Sequence, residues 1–186
     1  VSLSIFDAVF RFSMGASPKV CAEYLQTGLS FSFLATIAIS IFGAVFILLF
    51  EFDYLNTVIF ILILICQMFI SVLQQFARAI DKISVFSISS LLYTFVYLAG
   101  NIILLVVFRC GISGYLLSYL IANFVTLFYL GISIFLHMEK CTRLRFSLSH
   151  LNEMLRYCVP LIPNALLWWV ITASDRFFVY LLCGAD

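Results

Sequence analysis

Long apolar windows separated by short charged connectors organise this 186-residue chain. No Asp, Glu, Lys or Arg lies between Glu23 and Glu51, and 29–50 is predominantly apolar. Further windows cover about 55–76, 84–108, 114–136 and 159–182. Crossing a bilayer takes roughly 20 apolar residues, so each window predicts a transmembrane helix. Val1–Phe10 predicts the end of another. Outer-membrane strands alternate apolar and polar residues over roughly ten positions, and these runs do not. The expected fold class is therefore all-α, a polytopic membrane helix bundle with about five full transmembrane helices plus the end of another.

Connectors are short, except for the stretch that precedes the last window. Gly111 and Gly114 punctuate the connector RCGISG, as expected of a turn. In the long connector, 137–156, Leu148, Leu151, Leu155 and Cys158 follow an i, i+3, i+7, i+10 rhythm. That rhythm predicts a short amphipathic helix lying in the membrane interface; a solvated linker is the alternative. Arg11, Lys19, Arg78, Lys82, Lys140, Arg143, Arg145 and Arg156 fall on one side of the expected topology, and only Arg109 on the other. Cytoplasmic loops carry the excess of Lys and Arg, so the connectors 11–24, 77–83 and 137–156 are expected in the cytoplasm.

Composition agrees with these windows. Hydrophobic residues make up 65% and charged residues 10%, with mean hydropathy +1.18. Soluble domains run at about 45–50% apolar and about 25% charged. A net charge of +1 with no basic run gives no ground for a nucleic-acid partner. The six cysteines are scattered without metal or redox spacing, so no metal or cofactor is expected. Neither a G-x-S-x-G, an H-E-x-x-H, a P-loop nor a Gly-rich nucleotide fingerprint occurs, and His137 and His150 lack a catalytic companion at local spacing. The chain is not expected to be an enzyme. Val1 with no basic n-region is unlike a signal peptide, and the expectation is a fragment of a longer protein.

The polar residues inside the windows are the candidates for chemistry. Asp175 and Arg176 lie deep in the last span, where charge is costly and marks a site or cavity. Adjacent helical residues point about 100° apart, so the two need separate partners. On the functional reading Arg176 holds an anionic group and Asp175 orients it or titrates. On the plain reading Arg176 snorkels to the outer interface and Asp175 caps a kink. Pro160 and Pro163 are read either as a hinge or as a helix start, with Asn164 placed to satisfy a freed carbonyl. Asp7 and Arg11, spaced i, i+4, predict a structural salt bridge. Gln67, Gln74, Gln75, Asn101, Asn123, Thr94 and Ser118 are expected mostly to bond helix to helix, with Asn123 and Asn101 the better cavity candidates. Trp168 and Trp169 sit too deep for an interfacial belt and are expected to pack; stacking on a sugar ring is the alternative.

Three stretches, SLSIFDAVFRFS, GISGYLLSYLIANFVTLFYL and RYCVPLIPNALLWWVITASDRFFVYLLCGAD, resemble the polysaccharide or O-antigen flippases (Wzx type) of the multidrug/oligosaccharidyl-lipid/polysaccharide exporter superfamily. The third, with its Tyr, two prolines, Trp pair and Ser-Asp-Arg, is the most specific. The resemblance implies about twelve helices in a two-lobed transporter fold. Residues 1–156 would then belong to the N-terminal transmembrane lobe, and 157–186 to the first helix of the C-terminal lobe. It also implies a substrate, an undecaprenyl-diphosphate-linked oligosaccharide. This would be flipped across the bacterial cytoplasmic (inner) membrane by alternating access, for O-antigen, lipopolysaccharide or capsule biosynthesis. Substrate-binding residues would be Arg176, Asp175, Asn164 and Asn123, with Pro160 and Pro163 as the hinge. Implied partners are the lipid-linked glycan, membrane lipids and the glycan polymerase or chain-length machinery. A drug/cation antiporter of the same superfamily is the alternative. A membrane polysaccharide polymerase fits less well, because the outer loops EFDYLN and RCGISG are short.

Overall fold

The structure is a computed structural model that describes residues 5–50, 54–138, 148–161, 163–164, 166–168 and 170–174. They form α1 (Ile5–Ser13), α2 (Pro18–Phe50), α3 (Tyr54–Ala79), α4 (Ile83–Asn101), α5 (Gly111–Met138) and α6 (Leu148–Cys158). A π-helical stretch, Ile102–Val107, continues α4. No strand occurs among the described residues. Val20–Ile41, Tyr54–Ala79, Ile83–Val107 and Gly111–Leu136 are long and apolar enough to cross a bilayer. The chain is an all-α membrane helix bundle, in keeping with the windows read from the sequence. The fifth expected span falls partly outside the described residues; within it 161, 163–164, 166–168 and 170–174 are described and helical.

Local chemistry sets the helix ends. Ser17 precedes Pro18, and the Cys21 N–H donates to Ser17 O at 3.0 Å. Proline is suited to the first helical position, because its missing N–H has no partner there anyway. Gly15, at φ +73, turns the chain from α1 into α2. The connector expected over 11–24 is thus only Met14–Ser17, and α2 runs 33 residues. At the end of α3 the Lys82 N–H reaches back to Ala77 O at 2.9 Å, with Asp81 left-handed at φ 58. Gly111, at φ +59, makes the turn expected of it. Gly114 instead lies inside α5, where a Cβ would meet Cys110 Cβ at 2.8 Å.

The bundle packs differently at its two depths. At the end that carries the Lys/Arg-rich connectors, α1, α2, α3, α5 and α6 share one core that includes Ile5, Val9, Val72, Phe76, Leu130 and Met154. Two short amphipathic helices, α1 and α6, complete it. Arg78 ties the rim, its guanidinium 5.2 Å from the Phe10 ring and 5.3 Å from the Phe86 ring. Within the membrane, lipid is as apolar as leucine, so close backbone approach does the packing. A Cβ on Gly100 would stand 3.2 Å from Ser118 Cβ, between α4 and α5.

α4 is marginal: among its described residues only Ser89 is buried. Its exposed apolar residues, Ile88, Leu91, Phe95, Leu98 and Ile102, fall on one stripe. The face of α5 with Phe124, Phe128 and Phe135 is likewise exposed and apolar, as a lipid-facing surface should be.

Polar side chains in the spans mostly serve their own helix. Gln74 Nε2 does bond helix to helix, donating to Ser89 Oγ at 3.1 Å. The expectation fails for Thr94, Ser118 and Asn123, which donate one turn back to Ser90 O, Gly114 O and Tyr119 O. A carbonyl four residues back is always within reach of a short side chain, so no neighbouring helix is needed.

Gly28 marks the tightest crossing that the short helices impose. A Cβ there would lie 2.6 Å from Val9 Cγ2. Val9 is β-branched and fully buried, so it cannot swing aside. Gly28→Ala is expected to cost about 1–3 kcal/mol by overpacking. Gly131→Ala, with nothing within 4 Å, is expected to be neutral or to gain about 0.4–1 kcal/mol. Thermal unfolding of both variants in detergent measures the difference, and equal midpoints contradict it.

Candidate functional site

One face of α6 docks on α1 and α2. The rhythm in the sequence marked Leu148, Leu151, Leu155 and Cys158 as the apolar face. The structure instead buries Met154 fully and Cys158 nearly so, with Leu151 and Leu155 half-buried. Met154 lies four residues before Cys158, so the face is rotated toward α1 and α2.

A chain of aromatic contacts crosses that junction. The Arg11 guanidinium carbon sits 5.4 Å from the Tyr157 ring centre. Tyr157 meets Phe12 edge-on at 5.8 Å, and Phe12 stacks on Tyr24 at 5.4 Å. The Tyr24 ring lies 4.6 Å from the His150 ring. One polar bond secures the chain. Tyr24 Oη donates to Glu153 Oε2 at 3.1 Å, and His150 Nδ1 stands 3.6 Å from Glu23 Oε2. The expected Asp7–Arg11 salt bridge is absent among the described residues. Arg11 faces the ring of Tyr157, which keeps its guanidinium half in water, where cation–π attraction competes well with an exposed ion pair.

Beside this chain lies a cavity of about 520 Å³, bordered by Asp7, Arg11, Phe12, Tyr157 and Leu161. One wall is α1 and the other is the residues that lead into the last predicted span. The cavity has an exposed guanidinium at its edge, an aromatic wall and one carboxylate. Such a surface can hold an anionic group that carries an apolar or ring-bearing body. Burial pushes the Cys158 thiol up to about 11, and the Asp7 carboxylate adds to the shift.

None of the sequence-predicted site residues that the structure describes borders this cavity. Asp175, Arg176 and Trp169 lie outside the described residues. Asn164, Pro160 and Pro163 are exposed, and Val159–Pro160 forms a turn between α6 and the helical residues that begin at Leu161. Trp168 is 65% exposed, so among the described residues it does not pack as expected. Asn123 is fully buried against its own and neighbouring helices, away from this cavity, and its Oδ1 has no hydrogen-bond partner. His150, Glu23, Tyr24 and Glu153 were not singled out as a group by sequence reasoning. Tyr24 and Glu153 are 129 residues apart, and no local spacing announces them. No family model, curated protein or solved structure matches the chain.

Two outcomes follow from this geometry. Tyr24→Phe keeps the aromatic chain and removes the donor to Glu153, a hydrogen bond to a charged group worth about 1.5–3 kcal/mol at most. Amide hydrogen exchange should rise about tenfold in α6 while α3 stays unchanged; uniform behaviour of both helices speaks against the clamp. Cys158 should alkylate with N-ethylmaleimide far more slowly than exposed Cys110 at pH 8, because the thiolate is the reactive form. Comparable rates in single-cysteine variants contradict its burial.

Proposed function

We propose that this chain is part of a transporter that flips an undecaprenyl-diphosphate-linked oligosaccharide across the bacterial inner membrane by alternating access. The observation that carries this reading is the cavity beside Arg11. It opens at the basic end of the bundle, where the substrate is charged and accessible before transport. It combines a guanidinium that has no carboxylate partner among the described residues with an aromatic wall. Planar guanidinium forks suit phosphate oxygens, and stacking on Tyr157 keeps the fork presented. The diphosphate would meet Arg11 first, the sugars would follow into the cavity, and the lipid tail would remain in the bilayer. Arg176, further along the last predicted span, would receive the anionic group deeper in the path, with Asp175 beside it. Asn164 and Asn123 would offer amide hydrogen bonds to the glycan, and the turn at Pro160 would let the last span swing relative to α6.

The clamp on α6 supports the same reading. A transporter of this kind rocks one half against another around a fixed site. α6 fixes the connector firmly to α1 and α2 up to Cys158, and the turn at Val159–Pro160 follows at once. Movement is thereby confined to the proline segment.

In the full-length protein, Arg11→Ala and Arg176→Ala are each expected to lower surface polysaccharide at least tenfold, with membrane insertion unchanged. Arg11→Lys should retain part of the export, since it keeps the charge but loses the fork. Wild-type polysaccharide in correctly inserted Arg11→Ala and Arg176→Ala cells sinks the assignment.

A further inference from the structure

α4 carries a second stripe besides its lipid-facing one. Ser90, Thr94, Tyr97 and Asn101 recur at i, i+4, i+7 and i+11 and so share one flank. That flank lies about 100–120° from the stripe of Leu91, Phe95 and Leu98, at 100° per residue. Tyr93 borders it on the side toward α5. Across from it α5 brings Tyr115 and Tyr119. The four tyrosine rings touch: Tyr93 stacks on Tyr97 at 5.9 Å, and Tyr119 stands edge-on to both, at 5.9 and 5.5 Å. Tyr115 meets Tyr97 edge-on at 6.1 Å.

Depth makes this cluster unusual. Tyr93 and Tyr97 lie about 15 and 21 Å along α4 from Ile83, and Tyr119 about 12 Å along α5 from Gly111, at 1.5 Å per residue. A hydrocarbon core is about 30 Å thick, so these three rings are well below an interfacial belt, and Tyr115, about 6 Å from Gly111, is near it. Tyrosine hydroxyls at that depth need partners, and Tyr93 pairs with Tyr119 and Tyr115 with Tyr97. Two carboxamide oxygens flank the cluster one turn away, Asn101 Oδ1 and Asn123 Oδ1, and both are buried without a hydrogen-bond partner. Polar atoms this far from either end of the span call for water or for a ligand rich in hydroxyls.

We propose that the flank of α4 bearing Ser90, Thr94, Tyr97 and Asn101, together with Tyr115 and Tyr119 of α5, is a water-facing surface that stacks and hydrogen-bonds the pyranose rings of a glycan. The choice of glycan rests on the transport reading above; the water-facing character does not. A sugar ring presents C–H groups on its face and hydroxyls around its edge. Tyrosine matches both, with an apolar ring and a polar tip. Ser90 Oγ and Thr94 Oγ1 already donate to Phe86 O and Ser90 O, which leaves their lone pairs as acceptors for sugar hydroxyls. Repeated rings of similar kind also suit a substrate that slides, because each offers the same modest attraction.

The test uses the full-length protein in right-side-out and inverted membrane vesicles, with all six cysteines replaced by Ser. The probe is the charged, membrane-impermeant reagent 2-sulfonatoethyl methanethiosulfonate. Thr94→Cys and Tyr97→Cys should react at least tenfold faster than Phe95→Cys and Leu98→Cys in one vesicle orientation. Equal rates at all four positions overturn the proposal, because the flank is then in lipid or covered by another helix. In cells, Tyr97→Leu should lower surface polysaccharide at least fivefold while Tyr97→Trp retains it. Fast labelling with unchanged export in Tyr97→Leu overturns the glycan assignment. The same labelling pattern in a protein shown to export no glycan at all upholds the polar flank and overturns the transport substrate instead.

Discussion

Hydrocarbon leaves a polar atom no solvent to turn to, and the bundle is built around that constraint. Thr36, Ser71, Thr94, Ser118 and Thr126 each donate to the carbonyl one turn back. The helices therefore enter the bilayer already satisfied, each on its own account. That independence explains how α4 can stand at the margin with only Ser89 buried. It also makes the exceptions informative. The Gln74–Ser89 bond holds α3 to α4 near the basic end, whereas the carboxamide oxygens of Asn101 and Asn123 have no partner.

Where water is present, a different force organises the chain. The core around Phe76, Val9 and Met154 forms where α1 and α6 meet the span ends. Burying Met154 is worth about 2–5 kcal/mol, judged from large-to-small substitutions. The Tyr24–Glu153 hydrogen bond contributes less, so packing attaches α6 and the polar contacts choose its rotation. This accounts for the sharp change at Val159–Pro160. α6 before it is fastened by apolar burial at Met154 and Cys158, whereas Pro160 and Pro163 are exposed.

Periodic and compositional signals were legible from the chain alone. Charge-free windows located α3, α4 and α5 to within a few residues, and the leucine rhythm found α6. The start of α2 was also written there, as Gly15 and then Ser17-Pro18, but the neighbouring Lys19 and Glu23 disguised it as a connector. Contacts between distant residues were not legible. Nothing near His150 in the sequence points to Glu23, and nothing near Arg11 points to Tyr157. The Asp7–Arg11 spacing suggested a local bond that a ring from another helix displaced. The tyrosines at 93, 97, 115 and 119 were visible one by one, and only the antiparallel pairing of α4 and α5 makes them a cluster.

The length of α2 has a mechanical consequence. Its 33 residues form one helix, clasped in the core at Cys21, Tyr24 and Leu25 near one end. A helix of that length is a rod of about 50 Å, and a tilt of about 5° at the clasped end carries the other end through about 4 Å. Gly28 closes on Val9 near the clasped end, and Gly43 closes on Ile61 further along the rod. Small adjustments beside the Arg11 cavity can therefore reach the opposite face of the membrane through one stiff element, with no relay of side chains between.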